Sequence, residues 1–173
     1  KEVAHIETKG KSIGNGDLQA ILENVIQQEK RKSVLELLDF HIEDSKQKRA
    51  KAMVEMKLNG KSYSSESEGV GPVDAAINAI KKVIDKHDGF NFNITDFNVE
   101  IPTTGSDATV EVTMVLRESG GSQVVEKGTS PDIIVASMNA FVAGYNELIY
   151  QLKDLPRRLA SSRRSGQTER KKL

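Results

Sequence analysis

The fold is decided by the stretch Gly69-Val70-Gly71-Pro72-Val73-Asp74-Ala75-Ala76-Ile77-Asn78-Ala79-Ile80, in which a glycine-containing turn leads directly into a helix. Pro72 suits the first helical position, and Asp74 complements the positive end of the helix dipole. Gly69 and Gly71 predict a close backbone approach that a Cβ would block. We therefore expect an exposed helix N-terminus whose free N–H groups bind an anion; a plain strand-to-helix turn is the alternative. The apolar face predicted for this helix consists of Val73, Ala76, Ile77, Ile80, Val83 and Ile84.

The same design recurs in the stretch Gly128-Thr129-Ser130-Pro131-Asp132-Ile133-Ile134. Ser130 is predicted to cap the helix, Pro131 to start it and Asp132 to lie in its first turn. Nearer the start of the chain, the stretch from Gly14 to Ala20 has a similar arrangement. The three turns lie about 55 to 60 residues apart, which indicates duplicated units.

Composition limits the classes of protein to which the chain can belong. The 173 residues are 37% apolar and 29% charged, which fits one compact domain or two small repeats. There is no apolar run of about 18 residues, no secretory signal pattern and no cysteine, so we expect a cytoplasmic protein without a membrane span. Its three histidines are scattered and predict no metal site. Because the first residue is not Met, we expect a piece of a longer protein.

The charge is unevenly distributed although its sum is zero. Residues 153–173 carry eight Lys and Arg against two Asp and Glu. Such a segment could contact nucleic acid or an acidic partner. No aromatic residue interleaves the charges to stack on bases, so we expect a solvated basic tail and consider nucleic acid unlikely as a partner.

The predicted elements begin with a connecting segment over residues 1–33, formed by a strand from Val3 to Thr8, a glycine turn and a helix over residues 17–31. The first unit covers residues 34–88. Its three predicted strands are marked by Leu38, Phe40 and Ile42, by Ala52, Val54, Met56 and Leu58, and by Lys61 to Glu66. Asn59-Gly60 predicts the hairpin between the second and third strands, and the helix is expected over residues 72–86.

The second unit, over residues 89–152, repeats this order. Its strands are marked by Phe97, Val99 and Ile101, by Val110, Val112, Met114 and Leu116, and by Gln123 to Lys127. A turn from Pro102 to Ser106, a hairpin at Gly120-Gly121 and a helix over residues 131–152 complete it. The predicted fold is therefore α/β (α+β), with two pseudo-symmetric β-β-β-α units whose antiparallel sheets pack against helices. Because each unit buries only one sheet face, we expect a homodimer.

Several motifs resemble the C-terminal regulatory (dimerisation) domain of 2-isopropylmalate synthase and citramalate synthase. These motifs are Leu37-Leu38-Asp39-Phe40, the run from Ala50 to Leu58, and Gly69-Val70-Gly71-Pro72-Val73-Asp74-Ala75. In the second half, Asp107-Ala108 and the run from Gly128 to Ser137 resemble the second unit of that domain. The resemblance covers roughly residues 34–152.

The resemblance implies a function that composition alone does not give. Such a domain dimerises, binds leucine or isoleucine as end product, and inhibits an N-terminal catalytic barrel that condenses acetyl-CoA with a 2-keto acid on a divalent metal. The His-x-His metal pair of that barrel is absent, so we expect no catalytic residue, metal site or cofactor in this chain. The resemblance leaves open whether the effector is leucine or isoleucine, and the domain could also be a purely structural dimerisation module.

The predicted effector site uses the two helix starts. The effector carboxylate would bind N–H groups around Gly71 to Val73 or around Ser130 to Asp132, and its ammonium would meet Asp74 or Asp132. Alternatively, both acids only cap their helices and the apolar residues are core. The remaining predicted site residues are Gly69 and Pro72 in the first turn, Pro131 and Ile133 in the second, and Val73, Ala76, Ile80, Ile94 and Phe97 around the side chain.

Overall fold

The structure, a computed structural model, describes residues 33–102 and 108–168, and for residues 154–168 it describes the backbone alone. The predicted elements before residue 33 and most of the predicted turn after Pro102 lie outside the described residues. The elements are β1 (Leu35–Ser45), β2 (Lys48–Leu58), β3 (Lys61–Gly69), α1 (Pro72–His87), β4 (Phe92–Glu100), β5 (Val110–Glu118), β6 (Gln123–Ser130) and α2 (Ile133–Thr168). The fold is therefore α+β and repeats the order β-β-β-α, as predicted.

Each repeat contains an antiparallel three-stranded sheet with its strands in sequence order, β1-β2-β3 in the first repeat and β4-β5-β6 in the second. The hairpin predicted at Asn59-Gly60 is confirmed, since both residues have positive φ angles of 52° and 79°. Gly121 closes the equivalent hairpin of the second repeat with a φ of 100°. These short turns fix the strand register and so determine which side chains face the helices.

The core of each repeat lies between the middle strand and the helix that follows the sheet. The side chains of β2 that face α1 are fully buried, as are those of β5 that face α2. The predicted apolar face of α1 is confirmed for Ala76, Ile77, Ile80, Val83 and Ile84, whereas Val73 is only half-buried. The core-facing residues are Ala50, Ala52, Val54, Met56 and Leu58 on β2, and Val110, Val112, Met114 and Leu116 on β5.

The helices cover the two sheets unequally. α1 packs on β2 and β3 and also touches β1, whereas α2 packs on β5 and β6. No described helix residue has its Cα within 8 Å of a Cα of β4. The ring of Phe92, at the start of β4, is buried against Phe141 and Tyr145 of α2. After Phe92, the interior-facing side of β4 is not covered by either described helix.

Both first strands contain a β-bulge at equivalent positions. The register shifts between Leu37 and Asp39 in β1, and between Ile94 and Asp96 in β4. In each case the aspartate Oδ1 accepts a hydrogen bond from the N–H of the phenylalanine that follows, Phe40 or Phe97. The pseudo-symmetry predicted from the repeats therefore extends to these bulges.

The bulge corrects one prediction about β1. Simple alternation placed Leu38 on the same side as Phe40 and Ile42, but Leu38 is the bulged residue and is 50% exposed. A bulge inserts one residue and shifts the inside–outside alternation by one position. Leu35 and Leu37 precede it on the core side, where alternation alone did not place them.

The repeats meet at a junction between α2 and the first repeat. Asn146 Oδ1 accepts the N–H groups of Val34 at 2.9 Å and Leu35 at 2.8 Å, while Asn146 Nδ2 donates to Leu35 O at 2.8 Å. The Tyr145 hydroxyl donates to Asp88 Oδ2 at 2.6 Å. Burial of the ring, followed by this bond and the charge of Asp88, raises the pKa of Tyr145.

Helix α2 differs from the prediction at both ends. It begins at Ile133 instead of residue 131, and it continues to Thr168 instead of ending at residue 152. The apolar pattern ends near Leu152, but Leu155, Arg157, Arg158, Leu159 and Ala160 are good helix formers. The helix continues through Pro156, which lacks the N–H for one intrahelical hydrogen bond. None of the described helices, α2 included, has a stretch long and apolar enough to span a bilayer.

Candidate functional site

The turn between β3 and α1 leaves the positive end of α1 without a side-chain cap. Gly71 occupies the N-cap position with extended backbone angles, φ −158° and ψ 175°. Pro72 has no N–H, and within the described residues neither Val73 nor Asp74 has an acceptor for its N–H. The first bonded N–H is that of Ala75, which donates to Gly71 O at 2.9 Å. Free donors at the positive end of a helix favour a bound anion.

The two glycines of this turn have different roles. A Cβ added to Gly69 would lie 2.7 Å from both the Cα of Ala75 and the carbonyl carbon of Asp74, so Gly69 permits the predicted close approach. A Cβ added to Gly71 would meet no heavy atom within 4 Å, and its φ is accessible to any residue. The prediction that Gly71 is needed for a close approach is therefore wrong. Gly128 is the counterpart of Gly69, because a Cβ there would meet the backbone of α2.

Asp74 takes part in the turn that precedes its own helix. Its Oδ2 accepts a hydrogen bond of 2.9 Å from the N–H of Val70. This contact fits the alternative interpretation of Asp74 as a residue that holds the turn. The structure describes no hydrogen bond to Asp74 Oδ1, so one carboxylate oxygen is left for another donor.

The start of α2 is capped differently from the start of α1. Asp132 Oδ1 accepts the N–H of Ile134 at 2.7 Å and that of Val135 at 3.2 Å. Ser130 was predicted to cap this helix, but its Oγ accepts the N–H of Asp132 at 3.1 Å, one residue before α2 begins. The predicted roles of Ser130 as cap and Pro131 as first helical residue are therefore wrong, because Asp132 is the cap.

This difference separates the two predicted carboxylate sites. At α2 the chain's own carboxylate already occupies two N–H groups, so an incoming carboxylate would meet a like charge. At α1 no side chain competes for the free N–H groups. Ile133, also predicted to belong to the second turn, is 44% exposed and lies at the first helical position. The geometry therefore favours α1 for binding a carboxylate.

The residues predicted to contact the effector side chain are not brought together within one chain. Ala76 and Ile80 are fully buried in the first repeat, and of the three predicted lining residues on α1 only Val73 is partly exposed. Ile94 and Phe97 lie on β4, where no Cα is within 8 Å of α1 in the described part of the chain. The described backbone therefore does not bring these two residues close to the α1 start within one chain.

Sequence reasoning missed the extent of the uncovered apolar surface on the first strands. Phe97 and Val99 pair with Met114 and Val112, which places them on the core side of β4, yet Phe97 is 42% exposed. On β1, Phe40 and Ile42 are their counterparts and are half-buried. The alternating pattern identified these residues but could not show that the two described helices leave this part of β4 uncovered.

The structure offers no metal site in the part of the chain that it describes. No three His, Asp or Glu side chains come together there in a group that could hold an ion. The acidic residues of the candidate site, Asp74 and Asp132, both accept backbone N–H groups. Their chemistry suits an amino group or a helix start better than a metal ion.

Comparison with known proteins gives one family for this chain. The family model described as the LeuA allosteric (dimerisation) domain matches residues 12–149. The match therefore includes part of the segment before residue 34 that sequence analysis set apart as a connecting segment, and the predicted domain boundaries remain predictions.

Two of the curated relatives match this chain with similar identity. A protein assigned as an (R)-citramalate synthase from Methanopyrus kandleri is 33% identical over 150 residues, which are 86% of this chain and 29% of the relative. A 2-isopropylmalate synthase from Methanocaldococcus jannaschii is 32% identical over 150 residues, which are 86% of this chain and 28% of the relative. The chain thus spans less than a third of the length of these curated relatives.

Proposed function

Since the chain belongs to the LeuA allosteric (dimerisation) domain family of isopropylmalate and citramalate synthases, we propose that it binds leucine, or alternatively isoleucine, and transmits that binding as feedback inhibition. The observation that carries this proposal is the uncapped start of α1. The N–H groups of Val73 and Asp74 are free within the described residues, and a free amino acid carries a carboxylate that fits them.

The other two parts of the effector have candidate contacts near this helix start. Asp74 Oδ1 is available for the ammonium group, since only Oδ2 is bonded to Val70. Val73 is the partly exposed apolar residue of the first turn. A branched aliphatic side chain needs further apolar cover, and we propose that Ile94 and Phe97 of a second copy provide it.

A homodimer is the second part of the proposal. After Phe92, β4 carries apolar side chains on its core side that neither described helix covers. Phe97 is 42% exposed, and Ile101 just beyond the strand is 63% exposed. Covering such side chains with a second copy removes apolar surface from water, at about 25 cal/mol for each Å². The effector would then bind where the two copies meet.

The activity of the complete protein is proposed from its relatives. Two of them are named as 2-isopropylmalate synthase and (R)-citramalate synthase, and this chain corresponds to less than a third of their length. We propose that the rest of the protein is a cytoplasmic transferase of branched-chain amino-acid biosynthesis. Its catalytic barrel would use acetyl-CoA and a divalent metal, neither of which this domain is expected to bind.

A structural dimerisation module with a vestigial effector site is the second candidate. The observation in its favour is the complete burial of Ala76 and Ile80, which removes two predicted lining residues from any open site. Under this alternative, the uncovered side of β4 is the functional surface and the α1 start binds no ligand.

Calorimetric titration with leucine, isoleucine and leucinamide separates the two candidates. We expect leucine or isoleucine to bind with saturable heat. Leucinamide, which keeps the ammonium and side chain but lacks the carboxylate, should not bind. Absence of binding for both amino acids would favour the structural module. Equal binding of leucine and leucinamide would show that no carboxylate site exists at α1.

A further inference from the structure

The first sheet has a charged side that faces away from α1. We call this side the acidic face. Its side chains alternate with the buried ones, and it holds six carboxylates against two lysines and one arginine, which leaves an excess of three negative charges. The residues of the acidic face are Glu36, Asp39, His41 and Glu43 on β1, Arg49, Lys51, Met53, Glu55 and Lys57 on β2, and Ser62, Ser64, Glu66 and Glu68 on β3.

The lysines of this face neutralise only part of its charge. Lys51 Nζ lies 3.0 Å from Glu66, and Lys57 Nζ lies 3.9 Å from Glu36. Among the described residues, no Lys or Arg lies within 4 Å of the carboxylates of Asp39, Glu55 and Glu68.

Two of the uncompensated carboxylates face each other. Asp39 and Glu55 are direct cross-strand partners in the register of β1 and β2. Like charges in this arrangement destabilise a sheet. A cationic partner bound over the pair would relieve the repulsion.

The same chain contains a segment of complementary charge. Residues 157–172 hold seven Lys and Arg and one Glu. The backbone of α2 is helical to Thr168, so Arg157 and Arg164 lie about 10 Å apart along the helix axis. Asp39 and Glu43 lie about 13 Å apart along β1, so the two charge spacings are comparable.

We propose that the basic segment 157–172 of one copy binds the acidic face of a second copy. The segment is assigned to a second copy because α2 is one continuous helix through Thr168. It has no turn before that residue to bring Arg157 or Arg164 back over the sheet of its own chain. The carboxylates of the acidic face are exposed, so we expect the contact to weaken strongly with salt.

Site-specific cross-linking of the full chain tests this contact, because the chain has no cysteine of its own. Ser64→Cys places a thiol opposite Glu55 on the acidic face, and Ser161→Cys places one between the arginine pairs. Mixing the two variants under mild oxidation at 50 mM salt should give a disulfide-linked pair of chains. The control Ser119→Cys, at an exposed position in the β5–β6 turn, should cross-link at least tenfold less with Ser161→Cys.

Four further measurements test whether the basic segment binds the acidic face of a second copy. Cross-linking should fall at least fivefold at 500 mM salt and in the double variant Glu55→Lys/Glu68→Lys, but not in the control Asp85→Lys/Glu100→Lys of equal charge change. If a chain that carries both Ser64→Cys and Ser161→Cys forms an intrachain disulfide at high dilution, the segment binds its own chain and the proposal is overturned. Dependence on nucleic acid, detected by loss of the cross-link after nuclease treatment, would overturn it as well.

Discussion

Tyr145 donates its hydroxyl hydrogen to Asp88 Oδ2 at 2.6 Å, and this bond connects the middle of α2 to the residue that follows α1. The Tyr145 ring is fully buried and lies 5.6 Å from that of Phe92, the first residue of β4. One residue therefore links the second helix to the end of the first repeat and to the start of the second sheet.

Removing the Tyr145 hydroxyl should weaken the junction between α2 and the first repeat while the buried ring stays in place. Tyr145→Phe keeps the buried ring and loses only the bond to Asp88, so we expect a loss of about 1–2 kcal/mol in the free energy of unfolding. Urea denaturation of the full chain measures this loss. Asp88→Asn is the control, because its amide oxygen can still accept the bond. A Tyr145→Phe protein as stable as the parent would show that the bond contributes nothing.

The raised pKa of Tyr145 predicts a loss of stability at alkaline pH. Tyrosine is neutral when protonated and its ordinary pKa is about 10, so a higher folded-state value means that folding retains the proton. The contribution is fully present below about pH 10 and is lost as the pH rises above 10, by up to about 1.4 kcal/mol for each pH unit. The difference between the parent and Tyr145→Phe in denaturation at pH 9 and pH 11 isolates it from other groups.

The two glycines before α1 should respond oppositely to alanine. Gly69→Ala places a Cβ against the backbone of Ala75, which cannot move without shifting α1, so we expect a loss of about 3 kcal/mol or more. Gly71→Ala places its Cβ in open space and should change stability by less than about 0.5 kcal/mol. Thermal denaturation compares the two. Equal effects would contradict the close approach at Gly69.

Because the space around Gly71 is open, a charged side chain can be added there to test the proposed carboxylate site. Gly71→Asp and Gly71→Asn add side chains of nearly equal size, and an added Cβ meets nothing within 4 Å. We expect Gly71→Asp to weaken amino-acid binding at least tenfold by repelling the carboxylate, and Gly71→Asn to weaken it much less. Calorimetry with leucine and isoleucine measures both. Similar affinities for the two variants would place the effector carboxylate elsewhere.

Phe97 should contribute to dimer formation more than to folding. Phe97→Glu introduces a charge on the uncovered side of β4, so we expect the dimer dissociation constant to rise at least tenfold. Val125→Glu is the matched control, because Val125 is 56% exposed on the opposite side of the second sheet. Sedimentation equilibrium measures both variants. If both weaken association equally, the uncovered side of β4 is not the interface.

Sequence periodicity predicted the strands and helices because each is long and regularly patterned. It failed at Leu38, where the bulge inserts a residue and reverses the alternation. Asp39 is the local indication of the bulge, because its Oδ1 accepts the N–H of Phe40. Asp side chains make the same kind of bond in turns and helix caps, so the residue alone does not predict a bulge. The equivalent Asp96 and Phe97 could have revealed the bulge by comparison between the repeats.

The candidate site was only partly predictable from sequence. Gly69, Gly71 and Asp74 fall in one turn, as their spacing requires. The choice of Asp132 over Ser130 as cap depends on where α2 begins, and helix ends vary by one or two residues for a given sequence pattern. The separation of β4 from α1 depends on tertiary packing, which the pattern of β4 does not encode.

The contact of Asn146 with Leu35 also has a consequence for the order in which the chain acquires its structure. The two residues are 111 positions apart, so the first strand receives this contact only after nearly all of the domain has been synthesised. During translation, β1 to β3 and α1 can pair locally while the start of β1 still lacks the Asn146 side chain. Contacts of such long sequence separation slow folding, because a large loop must close before they form. Final locking of the first strand is therefore a late step in the folding of this domain.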